Sequence, residues 1–599
     1  MSQRIEAAYM EKNSSWILKE LMLEVLFVSI LAFFLKVVLG VLGKSPSDIN
    51  NDGLIRVYWM SSPVICIYLI LRLMKLRVFF SLFLVMLICF VIDVISQKKF
   101  SLTGEPLSFN DVIAGSNVSL ASKYLSVDNL IFCFEMILVG IFLFFLDRKL
   151  KTQKTQSKVI AILLFITIPM AFSPYLTVSS FIPFWVKEKV SKLNYKYEMD
   201  YFSWNWPGNV LAHGLPMHLI QTSVRIAAPK ISKEGLDEYH SFRKSYVLTK
   251  PINKTIIFIL CESCWYDNNN FKDIFQPLLN HGMTPLRATS PVYGGGTANV
   301  EFEMLTGLPS NSRYLSGILY QEYEDVFKDN TESFASVLKR SNYYTFAAHN
   351  NDRAFWKRVK VYPKFGFDQF EDIFAMGELP VELSKGKKPY VDQADDYLLY
   401  RAALKELREK NGKPIFMNLI TMSTHGPFPY MNDSGETVYK SRAEEAVSRL
   451  TDFLDQVEKI DKDALVVVYG DHKPSLNKYF YDRNVLPHQL FLSVGEKDED
   501  FTFKKDVNPL ELGDVPVFIK SSDKEAIAQF VKSANQKPYF CVASLVDKYF
   551  IRSGMLSASY MQQYGCQEPI YNDYNGYNNL IGKVPSWLYS VSLFDNVTE

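Results

Sequence analysis

The chain has 599 residues, a formal net charge of +1 and an apolar share of 48%, with 44 Phe and 34 Tyr. Its length exceeds one ordinary domain, and its near-zero net charge argues against nucleic acid as a partner. The apolar content is high for a soluble protein, and the excess lies in the first third of the chain.

Five apolar runs in this first part are each long enough to cross the hydrocarbon core of a membrane as a helix. They lie near 21–43, 57–74, 78–95, 128–147 and 158–176. A buried core helix can imitate one such run, but five in succession with charged connections are typical of a membrane domain. The sequence therefore predicts a transmembrane domain of five helices over residues 1–176.

Basic residues in the connections predict the orientation of these helices. The connections at 72–77 and 148–158 are basic, as is the segment before the first run. Because Lys and Arg are enriched on the cytoplasmic side, five crossings from an inside N-terminus place the C-terminal part outside. We expect a multi-pass protein of the cytoplasmic membrane whose anchor is retained, because the first run is too deep and too long for a cleaved signal.

Residues 177–250 are rich in aromatic and basic side chains, among them Trp185, Trp204 and Trp206. Aromatic rings mixed with lysines are typical of segments that lie at the lipid headgroups. We expect this segment to be an interfacial linker between the membrane domain and an extracytoplasmic domain over 251–599.

The pattern after residue 250 predicts an α/β domain. Short, nearly continuous apolar runs alternate with helical stretches, at 255–260, 343–348, 415–420, 464–469 and 515–519. Uninterrupted apolar strands of this kind indicate a parallel or mostly parallel sheet that helices cover on both faces. In such sheets, ligands bind outside the carboxyl ends of the strands.

Residues able to bind a metal or move a proton follow four of these strands. They are Glu262, His349, His425, and Asp471 with His472. Any one of them has a simple explanation, because polar residues collect at strand ends. Their convergence on one edge of one sheet favours a catalytic site.

A glycine turn places one more candidate in front of a predicted helix, in the sequence 294-GGGT-297. Thr297 has an ordinary interpretation as a helix N-cap. The glycines also let backbone N–H groups approach an anion, so Thr297 is a candidate nucleophile facing a phosphate. A hydroxyl is a weak nucleophile, and a cation on its oxygen would activate it. Glu262, Asp471 and His472 supply oxygen and nitrogen ligands that suit Mn²⁺ or Mg²⁺, with Zn²⁺ left open.

Together these motifs resemble the lipoteichoic acid synthase family, which consists of membrane-anchored phosphoglycerol transferases of the alkaline phosphatase and sulfatase superfamily. The resemblance is carried by 262-ES-263, 294-GGGTANVEFEMLTG-307, 349-HNN-351, 355-FWKR-358, 424-THGPF-428 and 469-YGDH-472. The glycine block is specific, whereas the last two motifs are weak alone.

The resemblance implies a reaction and a role for each residue. Thr297 would take glycerol-phosphate from phosphatidylglycerol and pass it to a glycan or glycerol-phosphate polymer outside the membrane. It would be a ligand of one Mn²⁺ together with Glu262, Asp471 and His472. The glycerol-phosphate would be bound by His349, Trp356, Arg358 and His425, and His425 would also move a proton.

Cysteines distinguish this chain from the family pattern. The sequence 261-CESC-264 invites a redox or zinc interpretation, but zinc would need a second pair, and a strand followed by Glu262 explains the position better. Cys541 and Cys566 are candidates for a disulfide in an oxidising compartment.

Three other functions are open to comparison. A formylglycine sulfatase needs a C/S-x-P-x-R signature, which the sequence lacks. A phosphoethanolamine transferase would share the fold, the threonine and a lipid donor, and it is the first alternative. A non-catalytic membrane sensor or scaffold is the second, although Thr297 and every predicted metal ligand are present.

Overall fold

The computed structural model describes residues 22–29, 51–103, 106–109, 112, 127–149, 157–178, 182–201, 206–224, 228–245, 251–252, 254–315, 317–384, 394–410, 412–428, 433–493, 495–503, 509–566 and 574–595. Two compact units divide the chain, Met1–Ile226 and Ala227–Glu599. The division falls inside the aromatic segment 177–250.

The first unit is helical wherever the structure describes regular elements. Its helices are Asn51–Leu73, Val78–Thr103, Val127–Lys149, Ser157–Ala171, Ser173–Val178, Phe184–Lys196, Trp206–His213 and Leu215–Thr222. A buried apolar cluster that includes Met60, Leu69 and Val85 lies between them. Other apolar side chains of these helices face outward, and Phe165 is 82% exposed.

Two described helices are long and apolar enough to cross a membrane, namely Gly53–Leu73 and Val78–Gln97. A shorter apolar helix spans Lys158–Ala171. The first predicted span, 21–43, lies largely outside the described residues. The five-helix count therefore stays a prediction.

An eight-stranded sheet forms the centre of the second unit. Its strands are β1 (Ile256–Cys261), β2 (Thr284–Thr289), β3 (Tyr344–His349), β4 (Gln369–Asp372), β5 (Ile415–Ile420), β6 (Leu465–Gly470), β9 (Asp514–Lys520) and β10 (Lys537–Pro538). The order is β10-β2-β9-β6-β1-β5-β3-β4, with β7 (Phe491–Ser493) and β8 (Phe501–Phe503) as a separate antiparallel pair. The strands from β6 to β4 are all parallel, and β9 is antiparallel to both neighbours.

Helices accompany the sheet along the chain. They are Lys233–Ser245, Lys272–Asn280, Thr297–Thr306, Leu319–Glu322, Phe334–Arg340, Arg358–Lys364, Val381–Ser384, Asp396–Glu409, Gly435–Ile460, Asn477–Asp482, Lys524–Ala534, Tyr539–Val546, Leu556–Tyr564, Tyr574–Gly582 and Ser586–Tyr589. Every residue of β1, β5 and β6 is buried, as expected for strands covered on both faces. The predicted mostly parallel α/β sheet is confirmed.

Candidate active site

The register of the two central strands brings the predicted acidic residues together. Cys261 at the end of β1 lies opposite Gly470 at the end of β6. The next residue of each chain segment is a carboxylate, Glu262 and Asp471, and both side chains are buried. Parallel pairing of two apolar strands therefore places two acids side by side at the carboxyl edge of the sheet.

Thr297 is the first residue of its helix, and Gly296 is the residue that caps it. Gly294 and Gly296 have φ angles of 63° and 91°, a region that glycine adopts easily. The Thr297 hydroxyl oxygen lies 2.7 Å from Asp471 Oδ2 and 3.2 Å from Glu262 Oε2. The Thr297 hydroxyl therefore lies within hydrogen-bonding distance of both carboxylates, and Thr297 is not the N-cap of its helix.

His472 completes the cluster and provides a test of whether a cation fits it. Its Nδ1 lies 3.0 Å from the Lys473 carbonyl oxygen, so Nδ1 carries the proton and Nε2 presents a lone pair. Nε2 lies 3.2 Å from Asp471 Oδ2 and 3.6 Å from Glu262 Oε1, and no described residue hydrogen-bonds to it. A buried lone pair that faces two carboxylates is stabilised by a divalent cation, so the residues fit a metal.

The ligand atoms of Glu262, Asp471 and His472 lie within 4.8 Å of one another. Backbone N–H groups of Ser263 and His472 donate to Asp471 Oδ1 at 2.7 and 2.8 Å, which orients its other oxygen toward Thr297. Burial raises the pKa of Asp471, and the neighbouring Glu262 charge raises it further. The two acids resist ionising together in the absence of a positive charge.

The turn after β5 carries His425 to this site. The Glu262 backbone N–H donates to Thr421 Oγ1 at 2.9 Å, and Thr424 Oγ1 donates to the Glu262 carbonyl oxygen. His425 is half-buried, with Nδ1 2.7 Å from the Gly426 carbonyl oxygen. Its charge would affect the pKa values of both Glu262 and His349, so the three side chains belong to the same edge of the sheet.

His349 is the last residue of β3 and is 1% exposed. Its Nδ1 lies 3.2 Å from the Ile420 carbonyl oxygen, and its Nε2 has no hydrogen-bond partner among the residues that the structure describes. Burial and the nearby Arg358 charge lower the pKa of His349 well below its ordinary value. The ring is therefore neutral at pH 7 and can bind through Nε2.

Trp356 and Arg358 follow β3 on a strained segment. Trp356 and Lys357 have φ angles of 55° and 56°, which non-glycine residues rarely adopt and which often mark ligand sites. Arg358 is buried, and its guanidinium pairs with Glu301 at 3.0 Å. Burial opposes the Arg358 charge, but Glu301 outweighs that effect and raises the pKa.

The sequence analysis missed three features of this site. Ser263 joins the carboxylates, since its hydroxyl donates to Glu262 Oε1 at 3.0 Å. Glu301, one helical turn after Thr297, is the carboxylate partner of Arg358. Cys261 and Cys264 form a disulfide around Glu262. Adjacency to Glu262 was an available signal for Ser263, and the C-x-x-C spacing was one for the disulfide, whereas the pairing of Glu301 with Arg358 depends on a tertiary contact.

The other cysteine prediction is confirmed. Cys541 and Cys566 form a disulfide, and both residues are fully buried. Cys66 and Cys89 are the free cysteines among the described residues, and both are buried.

A buried alcohol, two carboxylates and an imidazole at the carboxyl edge of a mostly parallel sheet define a site of the alkaline phosphatase and sulfatase type. Residues 254–542 match the sulfatase family model, and this range contains every predicted site residue. This part of the chain is therefore similar to the sulfatase family, and the resemblance to the lipoteichoic acid synthases is confirmed.

Two curated relatives illustrate the similarity. A lipoteichoic acid synthase of Staphylococcus saprophyticus is 30% identical over 200 residues, which is 30% of this chain and 28% of that protein. A candidate cyclic beta-1,2-glucan modification protein of Rhizobium meliloti (strain 1021) is 27% identical over 226 residues, 35% of this chain and 34% of that protein. The match spans about a third of the length of these relatives.

A solved structure with a similar chain is the Streptococcus pyogenes phosphoglycerol transferase GacH in complex with sn-glycerol-1-phosphate. It has 18% sequence identity and a TM-score of 0.39, and the alignment covers 60% of this chain and 91% of that chain.

Proposed function

We propose that this protein transfers glycerol-phosphate from phosphatidylglycerol to an extracytoplasmic glycan or glycerol-phosphate acceptor. The Thr297 oxygen would attack the lipid phosphorus and break its bond to the diacylglycerol oxygen. A glycerol-phosphate ester of Thr297 would form and diacylglycerol would leave. An acceptor hydroxyl would then attack the same phosphorus and release Thr297.

One observation supports this proposal above all others, namely the position of the Thr297 hydroxyl. It lies 2.7 Å from Asp471 Oδ2 at the start of a helix, the end of a helix that favours an anion. A simple structural threonine would not need a glycine turn and two buried acids. The arrangement suits an alcohol that gives up its proton and attacks phosphorus.

Glu262, Thr297, Asp471 and His472 would hold one Mn²⁺, with Mg²⁺ or Zn²⁺ as alternatives. When bound, the cation lowers the pKa of the hydroxyl and offsets charge on the phosphate. The carboxylates would orient the hydroxyl, and burial of all four side chains excludes water from it.

The substrate would be bound by His349, Trp356, Arg358 and His425. His349 offers a neutral imidazole, and Trp356 offers an apolar surface. Arg358 would reach phosphate oxygens only by sharing its guanidinium with Glu301. His425 is the most accessible of the three histidines of the site and would protonate the leaving diacylglycerol oxygen, then deprotonate the acceptor.

Membrane attachment supports a lipid donor. Outward-facing apolar side chains on the helices of the first unit suit a hydrocarbon environment. A catalytic domain tethered at the headgroups meets its donor at high effective concentration. The names of the two curated relatives, one a polymer synthase and one concerned with a glucan, support a glycan or glycerol-phosphate acceptor.

The test is diacylglycerol release from labelled phosphatidylglycerol by the full chain with Mn²⁺. We expect Thr297→Ala to lower the rate by at least about 10³-fold, because no other nucleophile occupies its position. Thr306→Ala, on the same helix but hydrogen-bonded to the Phe302 carbonyl oxygen, is the matched control and should keep substantial activity. Undiminished release from Thr297→Ala would remove the nucleophile from the proposal.

Donor competition separates the proposal from its alternatives. Preferred turnover of phosphatidylethanolamine would identify a phosphoethanolamine transferase instead. A folded protein that binds no metal and releases no diacylglycerol would indicate a sensor or scaffold.

A further inference from the structure

The turn that carries Glu262 is closed by a covalent bond. Cys261 ends β1, Glu262 and Ser263 follow, and Cys264 bonds back to Cys261. Both cysteines are buried, with 5% and 2% exposed surface. The disulfide therefore encloses the proposed metal ligand within four residues, with Cys261 directly before it and Cys264 two residues after it.

The enclosed turn has a conformation that the backbone does not favour by itself. Ser263 has a φ of 51°, in the left-handed region that a serine seldom adopts. The Cys264 N–H donates to the Cys261 carbonyl oxygen at 3.2 Å, which is the hydrogen bond that closes the turn. The disulfide restricts the same four residues and so maintains this conformation.

The backbone N–H and the hydroxyl of Ser263 both contact the metal site. Its backbone N–H donates to Asp471 Oδ1 at 2.7 Å, and its hydroxyl donates to Glu262 Oε1 at 3.0 Å. If Ser263 left the left-handed region, its N–H would turn away from Asp471. The conformation of one residue therefore fixes an oxygen of each acid.

The turn 261–264 also lies in close contact with β6, the strand directly before Asp471. A Cβ atom at Gly470 would overlap the Cys264 carbonyl oxygen, so the backbones of Cys264 and Gly470 are in close approach. Asp471 is the next residue. Movement of the turn 261–264 would consequently be transmitted to Asp471.

We propose that the Cys261–Cys264 disulfide is a positioning element of the metal site, which holds Glu262 and Asp471 at the separation that a divalent cation needs. This inference rests on the proposed metal site. It gives the 261-CESC-264 sequence a role that is neither redox catalysis nor zinc binding. It also makes metal affinity depend on an oxidising compartment, where such bonds persist.

The experiment compares two double variants of the full chain in detergent. Cys261→Ala/Cys264→Ala removes the bond around Glu262, and Cys541→Ala/Cys566→Ala removes a buried disulfide that does not enclose a proposed ligand and joins the helix Tyr539–Val546 to Cys566. Titration calorimetry measures the Kd for Mn²⁺ without substrate. We expect the first variant to bind Mn²⁺ about 10–100-fold more weakly, the range typical of lost groups that orient a ligand. The control should lose thermal stability and keep its Kd.

Reduction of the folded protein gives an independent measurement if the first variant does not fold. In the Cys541→Ala/Cys566→Ala background, a water-soluble phosphine converts the remaining disulfide to two thiols and becomes a phosphine oxide with oxygen from water. The Kd should rise by the same factor. Oxidation with diamide, which is reduced to its hydrazine as the disulfide re-forms, should restore it.

An unchanged Kd after loss of the Cys261–Cys264 bond, by mutation or by reduction, overturns the inference. So does failure of the parent to bind Mn²⁺, Mg²⁺ or Zn²⁺, since no metal site would then need positioning. A parent that binds Mn²⁺ in a disulfide-dependent way but releases no diacylglycerol would instead contradict the proposed function alone.

Discussion

Glu303 follows Thr297 on the same helix, and its side chain is fully buried. Its Oε1 accepts hydrogen bonds from the N–H and hydroxyl of Ser310, at 2.9 and 2.8 Å. Burial raises the pKa of Glu303 to about 7 from an ordinary value of 4.5. The folded protein therefore retains a proton on this group at pH values where the unfolded chain has lost it.

This difference predicts a pH-dependent stability. Because the folded state binds the extra proton, Glu303 lowers the free energy of unfolding as pH rises from 4.5 to 7, by about 3 kcal/mol in total. Above pH 7 its contribution changes no further. In Glu303→Gln, the side-chain amide oxygen can still accept the hydrogen bonds from Ser310, and the side chain cannot ionise.

Urea unfolding of parent and variant at pH 5, 6, 7 and 8 tests the prediction. The parent-minus-variant difference should change by about 2.5 kcal/mol between pH 5 and pH 8, in favour of Glu303→Gln at the higher pH. The subtraction cancels every other titrating group. A difference that is constant with pH would show that Glu303 ionises normally in the folded protein.

At the scale of single residues, the sequence was informative where a ligand follows a strand and uninformative where two distant segments pair. Glu262 and Asp471 were predictable because each comes directly after a buried apolar strand, and the strands are neighbours. The pairing of Arg358 with Glu301 was not, because it requires knowing that a loop after β3 meets the helix of Thr297. Arg358 was therefore assigned to the phosphate alone.

At the scale of elements, apolar continuity decided which strands could be predicted. The strands β1, β3, β5, β6 and β9 were predicted to within a residue at each end because they read as buried apolar runs. The strand β2, 284-TPLRAT-289, contains Pro285 and Arg287 and lacks such a run. The edge strand β4 has four residues, QFED, which do not form an apolar run. It is a strand because it pairs in parallel with β3.

The close approach of the turn 261–264 to β6 predicts that replacing Gly470 destabilises the protein. Its added Cβ in Gly470→Ala would overlap the Cys264 backbone and lie 3.4 Å from Pro516 Cδ, so β6 must shift. We expect a loss of about 1–3 kcal/mol in the free energy of unfolding, as for other overpacked sites. We also expect weaker Mn²⁺ binding, because Asp471 follows directly.

Gly582→Ala is the matched control, since nothing lies within 4 Å of a Cβ at that position. Thermal unfolding and the Kd for Mn²⁺ are measured for both variants. The control should match the parent in both quantities. If Gly470→Ala matched the parent as well, the contact between the turn 261–264 and β6 would have no energetic consequence.

At the scale of the whole molecule, the chain divides into two compact units with separate tasks. The second unit, Ala227–Glu599, contains the sheet, both disulfides and every residue of the proposed site. The first unit contains the apolar helices that suit a membrane. The proposed chemistry and the proposed donor supply therefore fall to different units, and each can be measured without the other.

Residues 227–599 expressed alone should fold and bind Mn²⁺ with the Kd of the full chain, because no proposed ligand lies outside them. They should also release diacylglycerol from short-chain phosphatidylglycerol dispersed in detergent. On vesicles of long-chain phosphatidylglycerol, the rate should fall about 10²–10⁴-fold below that of the full chain, because the anchor no longer supplies an effective concentration of donor.

The full chain and residues 227–599 are compared at equal protein concentration, with Thr297→Ala in each to subtract release that does not depend on the site. Equal rates of the two proteins on vesicles would show that the first unit contributes nothing to donor supply. Loss of activity on the dispersed lipid as well, with Mn²⁺ binding intact, would mean that the membrane helices take part in binding the lipid itself. The expected pattern, in which only vesicle turnover falls, assigns the anchor to delivery and the sheet edge to chemistry.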